Sequence, residues 1–194
     1  MKLYDISREL TTAPLYPGDP PTELSKLTNA ELGDAATTSL ISACLHNGTH
    51  VDAPCHFFPG AKDTAEIPLE KVVGECMVVE ASGVLTGLDI EQMISRMQGL
   101  KRVLLKGGAQ LSQSAAFALL DAEMELVGVE ETSVAPLAET AVVHRKLLSA
   151  EMVLLESLNL SEVPEGRYLL FAAPIKINGA DGSPVRAILA TRGV

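Results

Sequence analysis

The sequence predicts an α/β fold, a mixed sheet with flanking helices, and two observations carry that reading. From residue 75 onward, short apolar runs of the kind that make buried strands take turns with stretches of helical periodicity. In addition, 47% of the 194 residues are apolar, enough for one well-buried core and too few for two. Residues 1–194 are therefore read as a single domain.

Taken in order, Leu3–Ile6 reads as a short strand, and Pro14 with Tyr16-Pro17-Gly18-Asp19-Pro20-Pro21 as a stiff turn-rich loop. Residues 37–45 read as a strand that delivers the chain to His46, and Phe57-Phe58-Pro59-Gly60 as a turn away from it. Strands are expected at Glu75–Glu80, Arg102–Lys106, Glu125–Val129 and Met152–Glu156. Between them lie three helices. The first is Leu88–Gln98, ended by Gly99; the second is capped by Ser112 and runs to about Glu123; the third runs from Pro136 to Leu148. Tyr168–Ala172 and Val185–Leu189 close the chain as strands, with a turn near Asp181-Gly182 that follows Ile175-Lys176-Ile177. These late strands and the first one would add antiparallel edges to a largely buried sheet.

A net charge of −10 and a pI near 4.8 argue against nucleic acid or an anionic membrane surface as partner and favour a small molecule or a protein. No run approaches the ~18 apolar residues of a membrane span, and the first residues contain no apolar leader. A cytoplasmic protein is expected. Cys44, Cys55 and Cys76 form no CxxC pair and are read as reduced thiols.

Three of the four histidines fall within His46-Asn47-Gly48-Thr49-His50-Val51-Asp52-Ala53-Pro54-Cys55-His56. A helix would turn Asp52 away from His46 and His50 and would have to absorb Gly48 and Pro54. A straight strand would hold the Cα atoms of His46 and His50 roughly 13 Å apart, too far for one ion whose ligands sit about 2 Å from it. Gly48, free to take positive φ, is where a bend can bring the imidazoles together while His50 and Asp52 share a face. The segment is thus read as half of a metal site, in a bent loop or bulged strand end. Cys55, at an odd position, faces away.

The fourth histidine, His144, falls on a helical stripe with Leu137, Ala141 and Leu148 and points inward. Glu156 ends a strand and is flanked by leucines, so it needs either solvent or a partner. Alone, each has an ordinary explanation: a hydrogen-bonded core histidine and a solvated acid. Beside the first cluster, and with Glu156 at the C-terminal end of a strand where α/β sheets commonly place their sites, the three features explain one another.

His46-x-Gly48-Thr49-His50-x-Asp52-x-Pro54-x-His56-Phe57 resembles the H-x-G-T-H-x-D-x-P-x-H-[FY] signature of the cyclase family, which includes bacterial kynurenine formamidases and isatin hydrolases. Asp5-Ile6-Ser7 with Tyr16-Pro17-Gly18-Asp19 is similar to the family's opening, His144 with Glu156-Ser157-Leu158-Asn159-Leu160 to its H…E-G-L-N-L segment, and Asp181–Ala187 to its close. The resemblance implies a swivelling β/β/α domain, a dimer or tetramer, and a metal-dependent hydrolase of amide bonds. It also implies that His46, His50 and Asp52 hold one metal, that Asp52 and Glu156 bridge to a second completed by His144, and that His56 is the acid/base residue. Two positions depart from the pattern. Tyr16 stands where kynurenine formamidases often carry tryptophan, and Ser157 follows the glutamate in place of glycine.

Two divalent ions carry +4, and Asp52, Glu156 and a bridging hydroxide return −3, so such a site can sit in an apolar pocket. Zn²⁺ or Mn²⁺ suits oxygen and imidazole ligands without thiolate. Hydroxide generated at the metal would attack an amide carbonyl, and His56 would protonate the leaving nitrogen, unless it serves as a further ligand. The expected reaction is hydrolysis of N-formyl-L-kynurenine to kynurenine and formate, with Tyr16 and Phe57 shaping the substrate pocket. The alternatives are another amide or cyclic amide as in isatin-type ring opening, or a non-catalytic metal-binding protein.

Overall fold

The computed structural model describes residues 1–191. Strands β1 (Leu3–Asp5), β2 (Glu23–Thr28), β3 (Thr38–Ser42) and β4 (His50–Asp52) come first. The short helix α1 (Leu69–Val72) feeds β5 (Val73–Glu80), followed by β6 (Gly83–Leu85), α2 (Gly87–Arg96), β7 (Arg102–Lys106), β8 (Ala109–Leu111) and α3 (Gln113–Asp121). Then come β9 (Leu126–Val129), α4 (Thr140–Ser149), β10 (Val153–Glu156), β11 (Gly166–Phe171), β12 (Gly182–Pro184) and β13 (Ile188–Ala190).

The main sheet runs β1-β13-β11-β5-β7-β9-β10-β4-β12. Its centre, β5, β7, β9 and β10, is parallel, because α2, α3 and α4 carry the chain back between successive strands. Antiparallel strands extend it on both sides. This is the mixed α/β architecture that the alternating pattern predicts.

Side-chain alternation sorts the sheet into two faces. Val103, Leu105, Val127, Val129 and Leu154 pack under Ile90 and Met93 of α2, Leu119 of α3, and Val143 and Leu147 of α4. Leu104, Leu126, Val153, Leu155 and Val51 face the other way and join Ile6, Val78, Tyr168 and Leu189. Helix starts follow local chemistry: Thr86 and Asp89 form a capping box, and the Ser112 hydroxyl accepts from Ala115 N–H.

Several expectations need correction. Residues 38–42 do form a strand, but it pairs with Glu23–Thr28 as a separate, exposed two-stranded sheet, and a turn, not a continuous strand, leads to His46. A bulge between Lys26 and Thr28 breaks the period of β2, which is why its sequence does not read as a strand. Helix α4 begins at Thr140. Pro136 lies in the preceding turn, so Leu137 and Ala141 are exposed and the buried stripe is Val143, His144, Leu147 and Leu148. The expected turn near Asp181-Gly182 gives way to a strand at Gly182, since Gly182–Pro184 pairs with β4, and the last strand is Ile188–Ala190, not Val185–Leu189. The parallel pair β6 and β8 is too short to stand out in the sequence. Among the described residues, no helix is long and apolar enough to cross a membrane.

Candidate metal centre

The His46–His56 segment folds as two pieces joined by a bend. Gly48 takes φ +64°, and its bare Cα lies against Leu10, where an added Cβ would come within 3.1 Å of Leu10 Cδ1. Only glycine combines that conformation with that approach. Thr49 then locks the bend: its hydroxyl donates to Ser157 O at 2.6 Å and accepts from Arg8 N–H at 2.8 Å. Beyond it, β4 pairs with β10 in a register that sets His50 opposite Glu156 and Asp52 opposite Leu154. Because alternate residues share a face, His50, Asp52 and Glu156 all project toward the helices. Helix α4, lying on that face, brings in His144.

The four side chains are nearly sealed from solvent: His50 and Asp52 are each 1% exposed, His144 and Glu156 each 3%. Backbone carbonyls set both imidazoles. His50 Nδ1–H donates to Gly48 O at 2.9 Å and His144 Nδ1–H to Thr140 O at 2.8 Å, so each turns its Nε2 toward the carboxylates. His50 Nε2 lies 3.4 Å from Asp52 Oδ1 and 3.3 Å from Glu156 Oε2; His144 Nε2 lies 3.4 Å from Asp52 Oδ2 and 3.2 Å from Glu156 Oε1. Glu156 Oε1 also accepts from Val134 N–H at 2.7 Å.

A neutral imidazole that donates from Nδ1 carries a lone pair on Nε2. Two such lone pairs face two buried anions, which is repulsive unless positive charge lies among them. Among the described residues no lysine or arginine pairs with either carboxylate. His50 Nε2 is also a buried atom with no hydrogen-bond partner. A divalent cation matches all three facts, and the donor set of imidazole and carboxylate suits zinc or manganese. Without a cation, protons take its place. Burial alone would push the His50 and His144 imidazoles down, but the adjoining Asp52 and Glu156 win and hold both up at about 10. Burial likewise opposes ionisation of Asp52 and Glu156, yet the histidines keep both carboxyls lowered.

His46 and His56 sit at the open side. His46 Nδ1 is 2.9 Å from Asp52 Oδ1, and its ring stacks at a tilt on His56, centroids 4.3 Å apart. His56 ends the short 3-10 turn Pro54–His56, which the sequence does not reveal and in which Pro54 takes the first position, where its missing N–H costs nothing. By distance, ligand atoms of His50, Asp52 and Glu156 lie within 4.8 Å of one another, and so do those of His46, Asp52 and His56. Asp52 belongs to both groups. His56 is therefore as near to a ligand position as to an acid/base one.

All six residues singled out in the sequence for metal binding or proton transfer thus converge, and the two proposed for substrate line the same space. A cavity of about 230 Å³ is walled by Tyr16, Asp19, His56, Phe57, Thr132 and Ser133, with Asp52, His144 and Glu156 at its base. Phe57 packs its ring 5.3 Å from that of His144. Cys55 turns its Sγ to Ala180 O, away from the cluster. A wider groove between α2 and α3, lined by Leu88, Ile94 and Phe117, has no histidine.

Sequence reasoning misses Asp19, Thr132, Ser133 and Asp181. Asp181 Oδ2 lies 3.2 Å from His46 Nε2, and the adjacent Gly182 leaves the gap that the His46 ring fills. An alanine Cβ at 182 would stand 2.6 Å from His46 Cε1. Gly182→Ala is therefore expected to push His46 off Asp52 while leaving the fold intact; a crystal structure of the variant, with thermal melting as control, checks both.

The comparisons with known proteins agree with this geometry. The family profile described as "Putative cyclase" matches residues 4–144, a span that holds every histidine of the site. The chain is 36% identical over 208 residues to the kynurenine formamidase of Salinibacter ruber, covering 97% of each, and 30% identical over 203 residues to that of Erythrobacter litoralis, covering 97% of this chain and 93% of the relative. Among solved structures, one titled as a potential metal-dependent hydrolase with cyclase activity superposes with a TM-score of 0.83 at 30% identity, over 97% of this chain and 96% of the other. The motif, the sheet that presents it and these matches agree, and the chain belongs to the cyclase family.

Proposed function

We propose that this chain is a metal-dependent hydrolase of an aryl amide, with N-formyl-L-kynurenine as its substrate and L-kynurenine and formate as products. One observation carries the metal part: two imidazoles fixed by backbone carbonyls present Nε2 to two buried carboxylates that, among the described residues, have no lysine or arginine as partner. The curated relatives support the substrate. In this reading His46, His50, Asp52, His144 and Glu156 hold one or two divalent ions, zinc or manganese, with Asp52 shared because it reaches His46, His50 and His144. A divalent ion bound there supplies Lewis-acid chemistry, ionising water near neutral pH and drawing charge from a carbonyl oxygen.

The rest falls to the chain. Hydrolysis adds oxygen to the formyl carbon, breaks the C–N bond and leaves a proton on nitrogen. His56, on the cavity wall with a partly exposed ring, takes a proton from the attacking water and returns it to the leaving nitrogen. Phe57 and Tyr16 offer apolar surface to an aryl ring beside it. The pocket is smaller than the roughly 300 Å³ or more of drug-sized sites, which suits the reacting end of a small amide. The exposed β2–β3 hairpin, with Leu24, Leu27, Leu40 and Ile41 each more than half exposed, supports assembly with a second copy, since an isolated two-stranded hairpin is marginal in water.

Two outcomes test the reading. The zinc- or manganese-loaded protein should hydrolyse N-formyl anilines, and His56→Ala should lose at least about a hundredfold in kcat with its metal retained. Turnover of cyclic amides alone would move the substrate to isatin-type ring opening, and no turnover of either class would leave a metal-binding protein. Metal uptake should also release protons. Imidazoles held at about 10 are protonated at pH 7 and must be neutral as ligands, so binding should expel about two protons and weaken as pH falls. Calorimetry in buffers of different ionisation enthalpy reads this directly; uptake without proton release would contradict it.

A further inference from the structure

One carboxylate beside the cavity has no part in the proposed reaction. Asp181 directs a single oxygen, Oδ2, at two imidazoles, His46 Nε2 at 3.2 Å and His56 Nδ1 at 3.3 Å. Its place is set by the backbone ladder that also sets Asp52. Ala53 N–H donates to Asp181 O at 2.9 Å, and the next residue, Gly182, lies opposite Asp52 in the β4–β12 register. Gly182 admits the His46 ring against the strand, and Asp181 meets the outer nitrogen of that ring.

We propose that Asp181 is a positioning residue that fixes the tautomers of His46 and His56, an inference that rests on the metal-hydrolase reading above. A carboxylate only accepts, so at both contacts the imidazole donates. His46 faces a carboxylate at each nitrogen, Asp52 Oδ1 at 2.9 Å from Nδ1 and Asp181 Oδ2 at 3.2 Å from Nε2, so once an ion occupies the Asp52 side, Asp181 keeps the proton on Nε2 and the Nδ1 lone pair is left for that ion. His56 is held with its proton on Nδ1, leaving Nε2 as the nitrogen that takes up and gives back the proton. The two rings are stacked, so a turn of either one disturbs the other. Because Asp181 is about half exposed, solvent screens its charge, and the effect acts through orientation.

The test is imidazole ¹⁵N spectroscopy of the zinc-loaded protein, where four histidines allow assignment by single substitutions. In the wild type, Nε2 of His46 and Nδ1 of His56 should be protonated, and zinc should shift Nδ1 of His46. In Asp181→Ala, His56 should become a mixture of tautomers, zinc should bind about 10- to 100-fold more weakly, and kcat at saturating zinc should fall about tenfold with KM within about twofold. Asp181→Asn, whose carbonyl still accepts, should restore the tautomer and most of the rate. Identical His46 and His56 tautomers in Asp181→Ala and wild type, or a zinc shift on Nε2 of His46, would overturn the proposal. The wild-type spectrum tests it even if the alanine variant misfolds. If the zinc-loaded wild type hydrolyses no amide, the hydrolase reading fails, while the spectra still decide the role of Asp181.

Discussion

Asp52 and Glu156 lie buried on one face of the sheet with imidazoles and, among the described residues, no lysine or arginine as their ion-pair partners, and the structure around them answers the cost of keeping both charged. An unpaired carboxylate in a protein interior costs several kcal/mol. Two of them side by side are tolerated only if positive charge is supplied locally. The backbone carbonyls of Gly48 and Thr140 accept the Nδ1–H of both histidines, so a neutral imidazole offers the acids only the lone pair on Nε2, and the cluster needs positive charge brought to it as protons or a cation. A core made for stability alone would use apolar residues of similar volume there.

The fold contributes the placement. Parallel strands β9 and β10 end at the same level, and α4 returns over them, so the acid at the end of β10 and the histidine on α4 meet without any long side chain. Antiparallel β4 then docks on β10, and one register puts His50, Asp52 and Glu156 together; a shift by one residue would turn His50 and Asp52 into the opposite core. Thr49, through Ser157 O and Arg8 N–H, ties that register to the N-terminal segment. Side chains placed in this way by the backbone would need little reordering to receive a cation.

Much of this was legible in the chain because the spacing is local. The impossibility of a straight strand between His46 and His50 leads to the bend at Gly48, and alternation leads to the shared face of His50 and Asp52. The inward turn of His144 follows from helical periodicity, although the stripe that carries it is one turn later than Leu137 and Ala141 imply, because Pro136 opens a turn, with Glu139 N–H on its carbonyl, and the helix starts only at Thr140. Asp181 was not legible. Its contact with His46 spans 135 residues and depends on a missing side chain at Gly182, which in sequence reads only as a turn. The β2–β3 hairpin was half legible: its second strand has a strand's composition, while its first hides behind a bulge.

The most direct measurement of the central claim is anomalous diffraction from crystals of the zinc-loaded protein. The account predicts zinc in the buried cluster, about 2.0–2.2 Å from His50 Nε2 and from oxygens of Asp52 and Glu156, with His144 Nε2 on the same centre or on a second one sharing Asp52. Zinc found only at the surface, with His50 and His144 remaining as protonated partners of the two carboxylates, would contradict it.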